Sequence, residues 1–242
     1  MIKKLSFVFV LLYAIRSLCD PSINTEILCK RAEGRIMVDG IINEPAWEKA
    51  VPINFVKIVS LDEPVSSTTA YCLYDKKYIY FAFICRDKDI WLTLKTRDSQ
   101  LWDQDVVEIF LKTDCSGDWF YEFQVSPKNT VLDAFVSRSL REKMFFRFAE
   151  WDCTGLKSAT KLKGTLNNWF DEDDFWSVEV AIPFKSLLSN GRMPATNDVW
   201  LINLGRYDYS VYLEKGFEAS TSCPIKKFDF HRYEEWSFLK FN

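Results

Sequence analysis

The sequence predicts an all-β fold, an antiparallel β-sandwich or barrel with few short helices. Phe, Tyr and Trp account for 16% of the 242 residues, and aromatic side chains favour the pleated, half-buried surface of a strand. Short apolar or alternating runs are separated by turn-forming residues, whereas the apolar periodicity of a helix is scarce. No linker of low complexity divides the chain, so we expect one domain with one large core.

The run AYCLYDKKYIYFAFIC, residues 70–85, predicts a hairpin that turns at Lys76-Lys77. This turn places Cys72 opposite Phe81, and the apolar character of both faces is typical of central strands. Alternation and turn signals predict the other strands at 106–111, 120–125, 130–136, 176–182, 199–204 and 236–241. Short helical turns are predicted at 45–50 and 183–188, while 140–151 fits neither pattern.

The first 19 residues are typical of a secretory signal peptide. Lys3 and Lys4 supply the positive start, residues 5–15 are apolar, and Ser17-Leu18-Cys19 offers a cleavage site. The apolar run is too short to span a bilayer, which needs about 20 residues, and no longer run follows, so no transmembrane segment is predicted. A lipoprotein anchored through Cys19 is the alternative.

Removal of this leader would take the net charge from −3 to −6, because three of the Lys and Arg residues lie in it. No basic patch remains, so a nucleic-acid partner is not expected. Cys72 and Cys85 lie in apolar strands and are predicted to be buried thiols. The better disulfide candidates, whose pairing the sequence cannot rank, are Cys29, Cys115, Cys153 and Cys223. Their spacing and the single His do not favour a zinc site.

The segment LWDQDVVEIF, residues 101–110, carries the first candidate binding residues. If it is extended, Trp102 and Glu108 share one strand face, and Val107 points to the core on the other. An aromatic ring near a carboxylate suits a sugar, because the ring stacks on C–H groups and the carboxylate accepts hydrogen bonds from hydroxyls. The alternative is that Trp102 caps the edge of the core and Glu108 is a solvated strand residue.

Two amides extend this candidate site. Gln124 alternates with apolar residues in YEFQV, so it should share the polar face of a neighbouring strand with Glu108. Asn129 offers both a donor and an acceptor to a sugar diol, although Pro127-Lys128-Asn129 is equally typical of a turn.

The acidic residues allow two further readings. The run Asp171-Glu172-Asp173-Asp174 is either a solvated loop or a calcium site, since calcium prefers several oxygens supplied by loops. Glycoside hydrolysis needs two carboxylates about 5 to 9.5 Å apart, which Glu108 could form with Asp105 or Glu122. No nucleophile–base pair, phosphate loop or cluster of metal-binding His residues is present in the sequence, so we expect a protein without catalytic activity.

Several motifs in the same order resemble family 9 carbohydrate-binding modules. They are Val38-Asp39-Gly40, Ile42 to Trp47, Leu73 to Ala82, Trp102 to Phe110, Tyr121-Glu122-Phe123, Asn129 to Asp133, Gly155-Leu156-Lys157, Gly164 to Asn167, Trp176 to Pro183, and His231-Arg232 with Trp236. The resemblance implies a DOMON-like β-sandwich of the jelly-roll type that binds sugar, usually without catalysis. It also implies a structural calcium. It extends from about Arg35 to the carboxyl end, so we expect a signal peptide at 1–19, a lead-in at 20–34 and the domain at 35–242.

The resemblance also implies roles for individual residues. Trp102 corresponds to one of two Trp residues that sandwich a terminal sugar, and Glu108 to a Glu that bonds its hydroxyls. The chain departs from the pattern where Gln124 replaces a nearby Arg and where His231 replaces the second Trp. His231 can still stack and hydrogen-bond, although Tyr233 or Trp236 could supply the platform instead.

These observations predict a secreted, non-catalytic protein of carbohydrate catabolism that binds an oligo- or polysaccharide. The predicted binding residues are Trp102, Glu108, Gln124, Asn129 and His231. An envelope or extracellular structural sandwich without sugar binding is the first alternative, and activity associated with glycoside hydrolysis is the second. The sequence leaves open the identity of the sugar and the oligomeric state.

Overall fold

The computed structural model describes residues 25–139, 144–148, 150–187, 191–196 and 198–242. The strands are β1 (Glu26–Arg31), β2 (Ile53–Asn54), β3 (Val56–Lys57), β4 (Thr68–Tyr74), β5 (Tyr78–Arg86), β6 (Val106–Lys112), β7 (Trp119–Val125), β8 (Val131–Ser139), β9 (Met144–Phe148), β10 (Lys157–Lys163), β11 (Phe175–Pro183), β12 (Trp200–Tyr209), β13 (Phe217–Thr221) and β14 (Ser237–Phe241). One α-helix, α1 (Phe184–Leu187), and 3-10 helices at Trp47–Lys49, Leu101–Asp103 and Tyr233–Glu235 complete this part of the chain.

The strands form two layers that meet at β1. One layer has the order β10-β11-β5-β4, and the other has the order β14-β12-β6-β7-β8-β9. β1 pairs in parallel with β14 through Glu26–Cys29 and with β4 through Lys30 and Arg31. The predicted all-β sandwich is confirmed, with these two parallel pairings added. Because β1 lies within the predicted lead-in of residues 20–34, that part of the lead-in belongs to the sandwich.

The register of the predicted hairpin is also confirmed. β4 and β5 pair with Cys72 opposite Phe81, and Cys72 and Cys85 are fully buried thiols. Cys29, Cys153 and Cys223, which the sequence favoured as disulfide candidates, are buried thiols as well, because the fold carries all three into apolar surroundings. The half-buried Cys115 has its Sγ 3.5 Å from the carbonyl oxygen of Val199. The predicted signal peptide and Cys19 lie outside the described residues.

The alternation of β6 divides its side chains between two apolar clusters. Val107 and Ile109 pack into the core between the layers. Val106 and Phe110 point to the outer face of the layer, where loops before β6 and before β14 cover them. Polar side chains of β6 on this outer face are therefore also buried. No helix in the described part of the chain has the length and apolar character needed to cross a membrane.

The motifs Val38-Asp39-Gly40 and Ile42 to Trp47 pack against the outer face of the layer β10-β11-β5-β4. Glu179 of β11 is buried there and accepts hydrogen bonds from the backbone N–H groups of Asp39 and Gly40 and from the indole Nε1 of Trp47, all at 3.0 Å. Gly40 has φ +85°, and a Cβ at this position would lie 2.6 Å from the carbonyl carbon of Thr160. These motifs therefore hold a loop on the sheet and have a structural role.

Candidate functional site

A cleft of about 260 Å³ opens on the outer face of the layer that contains β6 and β7. Its walls combine aromatic rings with charged groups. They are Trp102, Glu108, Phe110, Arg147, Tyr207, Phe228, Asp229, Phe230 and His231. The structure therefore brings Trp102, Glu108 and His231, which the sequence proposed from distant segments, to a single open cleft.

Trp102 reaches this cleft from a turn. Leu101–Asp103 is a 3-10 helix and β6 begins only at Val106, so the expectation of an extended segment from Trp102 onward was wrong. The reason lies in Asp105, whose buried carboxylate accepts the N–H groups of Trp91 at 2.5 Å and Tyr209 at 2.7 Å and so draws the turn against the sheet. Asp105 thus has a structural role and is not exposed for chemistry.

The indole of Trp102 is half-buried and held in place by a cation. The guanidinium carbon of Arg147 lies 4.3 Å from the centroid of the Trp102 ring, a cation–π contact worth about 0.5–2 kcal/mol. The carbonyl oxygen of Trp102 also accepts a hydrogen bond of 3.0 Å from Tyr209 Oη. Trp102 is therefore fixed in orientation at the edge of the cleft and is not part of the inner core.

A buried polar layer lies beneath the cleft. Gln124 is directly opposite Glu108 in the β6–β7 ladder, in agreement with the sequence. Its Nε2 group donates to Glu108 Oε1 and to Glu122 Oε1, both at 2.7 Å. Gln124 is fully buried and does not line the cleft. Its side chain therefore positions the two carboxylates.

Arg147 is one of the cleft residues that sequence reasoning missed, as are Tyr207, Phe228, Asp229 and Phe230. It lies on β9, within the segment 140–151 that fitted neither pattern, and its Nε donates to Glu122 Oε2 at 3.1 Å and its Nη2 to Glu122 Oε1 at 2.5 Å. The family resemblance places an Arg near Gln124. Here a guanidinium reaches the same polar layer from another strand. The alternation of aromatic residues with Arg147 in MFFRF was the available signal for a strand.

His231 forms another part of the wall. Its Nε2 lies 3.2 Å from Glu122 Oε2, and its ring packs against Phe110 and Phe120 with centroid separations of 5.6 and 5.3 Å. Tyr233 and Trp236, the alternative platforms, are both buried. Of these three candidate platforms, His231 is therefore the one that lines the cleft, where Phe228 and Phe230 lie beside it.

The two carboxylates of the polar layer differ in ionisation. Burial raises the pKa of Glu108 well above its usual value, and the nearby charge of Glu122 adds to this effect. Burial acts in the same direction on Glu122, but His231 and Arg147 outweigh it, so the pKa of Glu122 falls below its usual value. Of the two carboxyl groups, Glu108 therefore keeps its proton to higher pH, and Glu122 is the one whose ionised form its neighbours favour.

Glu108 has one oxygen left for a ligand. Its buried Oε2 has no hydrogen-bond partner among the described residues. Gly205 lies opposite Glu108 on β12, and a Cβ on Gly205 would come within 3.2 Å of this oxygen. The glycine therefore lets this carboxylate lie close to the backbone of β12, where the ring of Phe230 also packs.

Asn129 is not part of this cleft. It has φ +59° in the turn between β7 and β8, and its Nδ2 donates to the carbonyl oxygen of Ser158 on β10 at 3.1 Å. It lines a separate depression together with Lys95, Arg97 and Lys128. The turn directs the side chain toward the other layer, so the structure does not bring Asn129 together with Trp102, and its position fits the alternative reading as a turn residue.

The acidic run at 171–174 is bonded to its own chain. Asp173 accepts the N–H groups of Ile90 at 2.8 Å and Thr165 at 2.6 Å, and Asp174 pairs with Arg86 and with Lys163. These contacts use carboxylate oxygens that a calcium ion would need, which favours the reading as a loop.

A second acidic cluster is buried between the layers. Ligand atoms of Asp87, Asp105 and Asp208 lie within 4.8 Å of one another. The buried Arg206 lies among them, with Nη2 2.9 Å from Asp87 Oδ2 and 3.4 Å from Asp208 Oδ1. Because a guanidinium supplies the positive charge and the oxygens of Asp105 and Asp87 already accept hydrogen bonds, this cluster does not fit the calcium that the resemblance implies.

Comparison with known proteins identifies the family of this chain. Residues 38–211 match the model of a family described as carbohydrate family 9 binding domain-like. An "Extracellular protein" of Arthroderma benhamiae is 28% identical over 141 residues, which cover 54% of this chain and 63% of that protein. The chain thus spans less than two thirds of the length of this relative.

Solved structures share the fold at low identity. A protein from Bacteroides uniformis superposes with a TM-score of 0.67 at 12% identity, covering 90% of this chain and 100% of that one. Family 9 carbohydrate-binding modules from Caldicellulosiruptor kristjanssonii superpose with TM-scores of 0.61, in complex with cellotriose, and 0.56, in complex with glucose. Their identities are 14% and 16%, they cover 90% and 89% of this chain, and 94% and 95% of their own lengths are matched.

Proposed function

Because the chain belongs to the carbohydrate family 9 binding domain-like family, we propose that it is a non-catalytic protein that binds a saccharide in the cleft between Trp102 and His231. The observation that carries this proposal is the meeting of an indole, an imidazole and the unpartnered Oε2 of Glu108 in one open cleft. Stacking on a ring, combined with hydrogen bonds to hydroxyls, is the usual chemistry of sugar recognition.

The size and charge of the cleft favour a neutral sugar ring. Its volume of about 260 Å³ is slightly below the range of about 300–1,000 Å³ typical of small-molecule pockets. The half-buried guanidinium of Arg147 and the half-buried ring of His231 are already directed at Glu122. The cleft therefore has little net charge to attract an ionic ligand, and its hydrogen-bonding capacity suits hydroxyl groups.

The carboxylates beneath the cleft do not favour hydrolysis. Glu122, whose pKa is lowered, is fully buried, and both of its oxygens are occupied by Gln124, Arg147 and His231. A nucleophile or general base needs an oxygen that can reach the substrate or a water molecule. These contacts support binding without catalysis over the alternative of glycoside hydrolysis.

We place this activity outside the cell. Residues 1–19 have the pattern of a secretory leader, and the relative in Arthroderma benhamiae is named an extracellular protein. Binding of an extracellular oligo- or polysaccharide would serve carbohydrate catabolism. Detection of mature protein in the culture medium, with its amino terminus sequenced, tests both the export and the cleavage after Cys19.

Glycan-array and affinity-gel binding tests the cleft, with glucose and cellotriose as the first soluble probes. Trp102→Ala should weaken binding by roughly five- to one-hundred-fold, which corresponds to about 1–3 kcal/mol. Tyr78→Ala is the control, because Tyr78 is also a half-buried ring beside a cation, Lys157 at 5.2 Å, but lies on the other layer. Equal retention of wild type and Trp102→Ala on every glycan that binds would reject this site.

A further inference from the structure

A second groove adjoins the cleft on the other side of the 3-10 helix Leu101–Asp103. It has a volume of about 380 Å³. The lining residues used below, which define the Trp169 groove, are Asp89, Trp91, Asp103, Gln104, Trp169 and Tyr209. Trp102 lines the first cleft, and the next two residues of the chain line this groove.

The Trp169 groove exposes aromatic surface to water. The side chain of Trp169 is 58% exposed, and Trp91 and Tyr209 are half-buried in the same groove. Trp is highly buried on average in folded proteins, and exposed apolar surface gathered in a concavity marks a binding site. The groove therefore offers flat rings on which a ligand can stack.

The groove also contains a buried acceptor that the protein leaves unsatisfied. Asp89 is 2% exposed, and its Oδ2 accepts the N–H of Val211 at 3.0 Å. Its Oδ1 has no hydrogen-bond partner among the described residues. A buried acceptor without a partner is unfavourable, so a ligand that donates a hydrogen bond here removes that penalty. Asp89 and Asp103 together disfavour an anionic ligand, whereas a hydroxyl-bearing ring satisfies both the acceptor and the aromatic surface.

The two depressions lie next to each other along β12. Tyr207 lines the cleft and Tyr209 lines the Trp169 groove, and their ring centroids are 6.5 Å apart on the same strand face. Tyr209, in the groove, donates a hydrogen bond from its Oη to the carbonyl oxygen of Trp102, whose side chain lines the cleft. A chain of a few sugar rings can therefore contact both.

We propose that the Trp169 groove is a second saccharide subsite, which binds another residue of an oligosaccharide whose first ring occupies the cleft at Trp102. This inference rests on the proposed function and deepens it, because it makes an oligosaccharide the preferred ligand over a monosaccharide. Trp169 supplies the stacking surface and Asp89 Oδ1 accepts a hydroxyl.

Calorimetric titration with glucose and with cellotriose, or with the corresponding pair for any sugar retained on a glycan array, tests the subsite. Wild type should bind the trisaccharide more tightly than the monosaccharide. Trp169→Ala and Asp89→Asn should each reduce trisaccharide affinity at least about fivefold and leave monosaccharide affinity unchanged. Asn keeps an oxygen for the N–H of Val211. Phe148→Ala, which removes another exposed ring outside both sites, should change neither affinity.

The possible failures are distinguishable. If both variants bind the trisaccharide like wild type, or if wild type binds both sugars equally, the subsite is rejected while the cleft at Trp102 stands. If Trp169→Ala weakens both sugars to the same extent, the residue has a general structural role and the subsite is likewise rejected. If wild type binds no glycan at all, the proposed function fails, and the second subsite fails with it.

Discussion

Replacement of Arg206 by Met probes the ion network that joins the two layers behind the cleft. Arg206 is fully buried on β12. Its guanidinium donates to Asp87 Oδ2 at 2.9 Å, to Thr68 Oγ1 at 3.1 Å and to the carbonyl oxygen of Arg86 at 2.8 Å. Met retains an unbranched side chain of comparable reach but removes the charge and every donor.

The expected loss is large because the partners stay buried. Removing one member of a buried ion pair costs about 3–5 kcal/mol, since the remaining charge has no compensation. Here two carboxylates, Asp87 and Asp208, lose their cation together. Total stabilities of about 5–15 kcal/mol are typical, so Arg206→Met should remove a large fraction of the free energy of unfolding.

The loss should increase with pH. Burial raises the pKa of Asp87 to about 7, although Arg206 acts in the opposite direction. The folded-state pKa therefore lies above the unfolded value of about 3.9, so the contribution of Asp87 to stability is fully present below that value and is lost as the pH rises through about 7. Without Arg206 the pKa of Asp87 rises further, and the variant should be penalised more at about pH 8 than at about pH 5.5.

Urea denaturation at these two pH values, followed by Trp fluorescence, measures the effect. Arg192→Met is the control, because Arg192 pairs with Asp198 at the surface and its loss should change stability little. Adding Asp87→Asn to Arg206→Met should recover part of the loss at the higher pH. A destabilisation below about 1 kcal/mol, or one that is equal at both pH values, would refute this account of the network.

Three other predictions concern Gly40, Glu108 and the acidic run 171–174. Gly40→Ala should lower the free energy of unfolding by about 1–3 kcal/mol, because the residue has φ +85° and its Cβ would collide with Thr160; an unchanged urea midpoint would contradict this. Glu108→Gln should make the free energy of unfolding less dependent on pH, and at about pH 8 the variant should be at least as stable as wild type. The reason is that the raised pKa of Glu108 makes wild type lose stability as the pH rises. Parallel pH profiles of the two proteins would count against this prediction. EDTA should leave the Tm unchanged, because the carboxylates of the run 171–174 bond to their own chain, and a clear fall in Tm would show a metal site.

Local patterns predicted the placement of Glu108 and Gln124 correctly. Strand alternation has a period of two residues, so the spacing within VVEIF and YEFQV was enough to put both side chains on one polar face, where the β6–β7 ladder pairs them. The same logic failed at Trp102, because the hydrogen bonds of Asp105 to Trp91 and Tyr209 impose a turn that no local spacing reveals.

The sequence by itself determined the fold class, the register of the main hairpin and the family, because strand periodicity, turn residues and ordered motifs are local properties of the chain. Only the tertiary structure decided that Arg147 joins Glu122 and covers Trp102, and that Asn129 faces the other layer. It also brought the Trp169 groove beside the cleft. Such contacts join positions far apart in the chain, and strand order and the paths of the loops determine which of them meet.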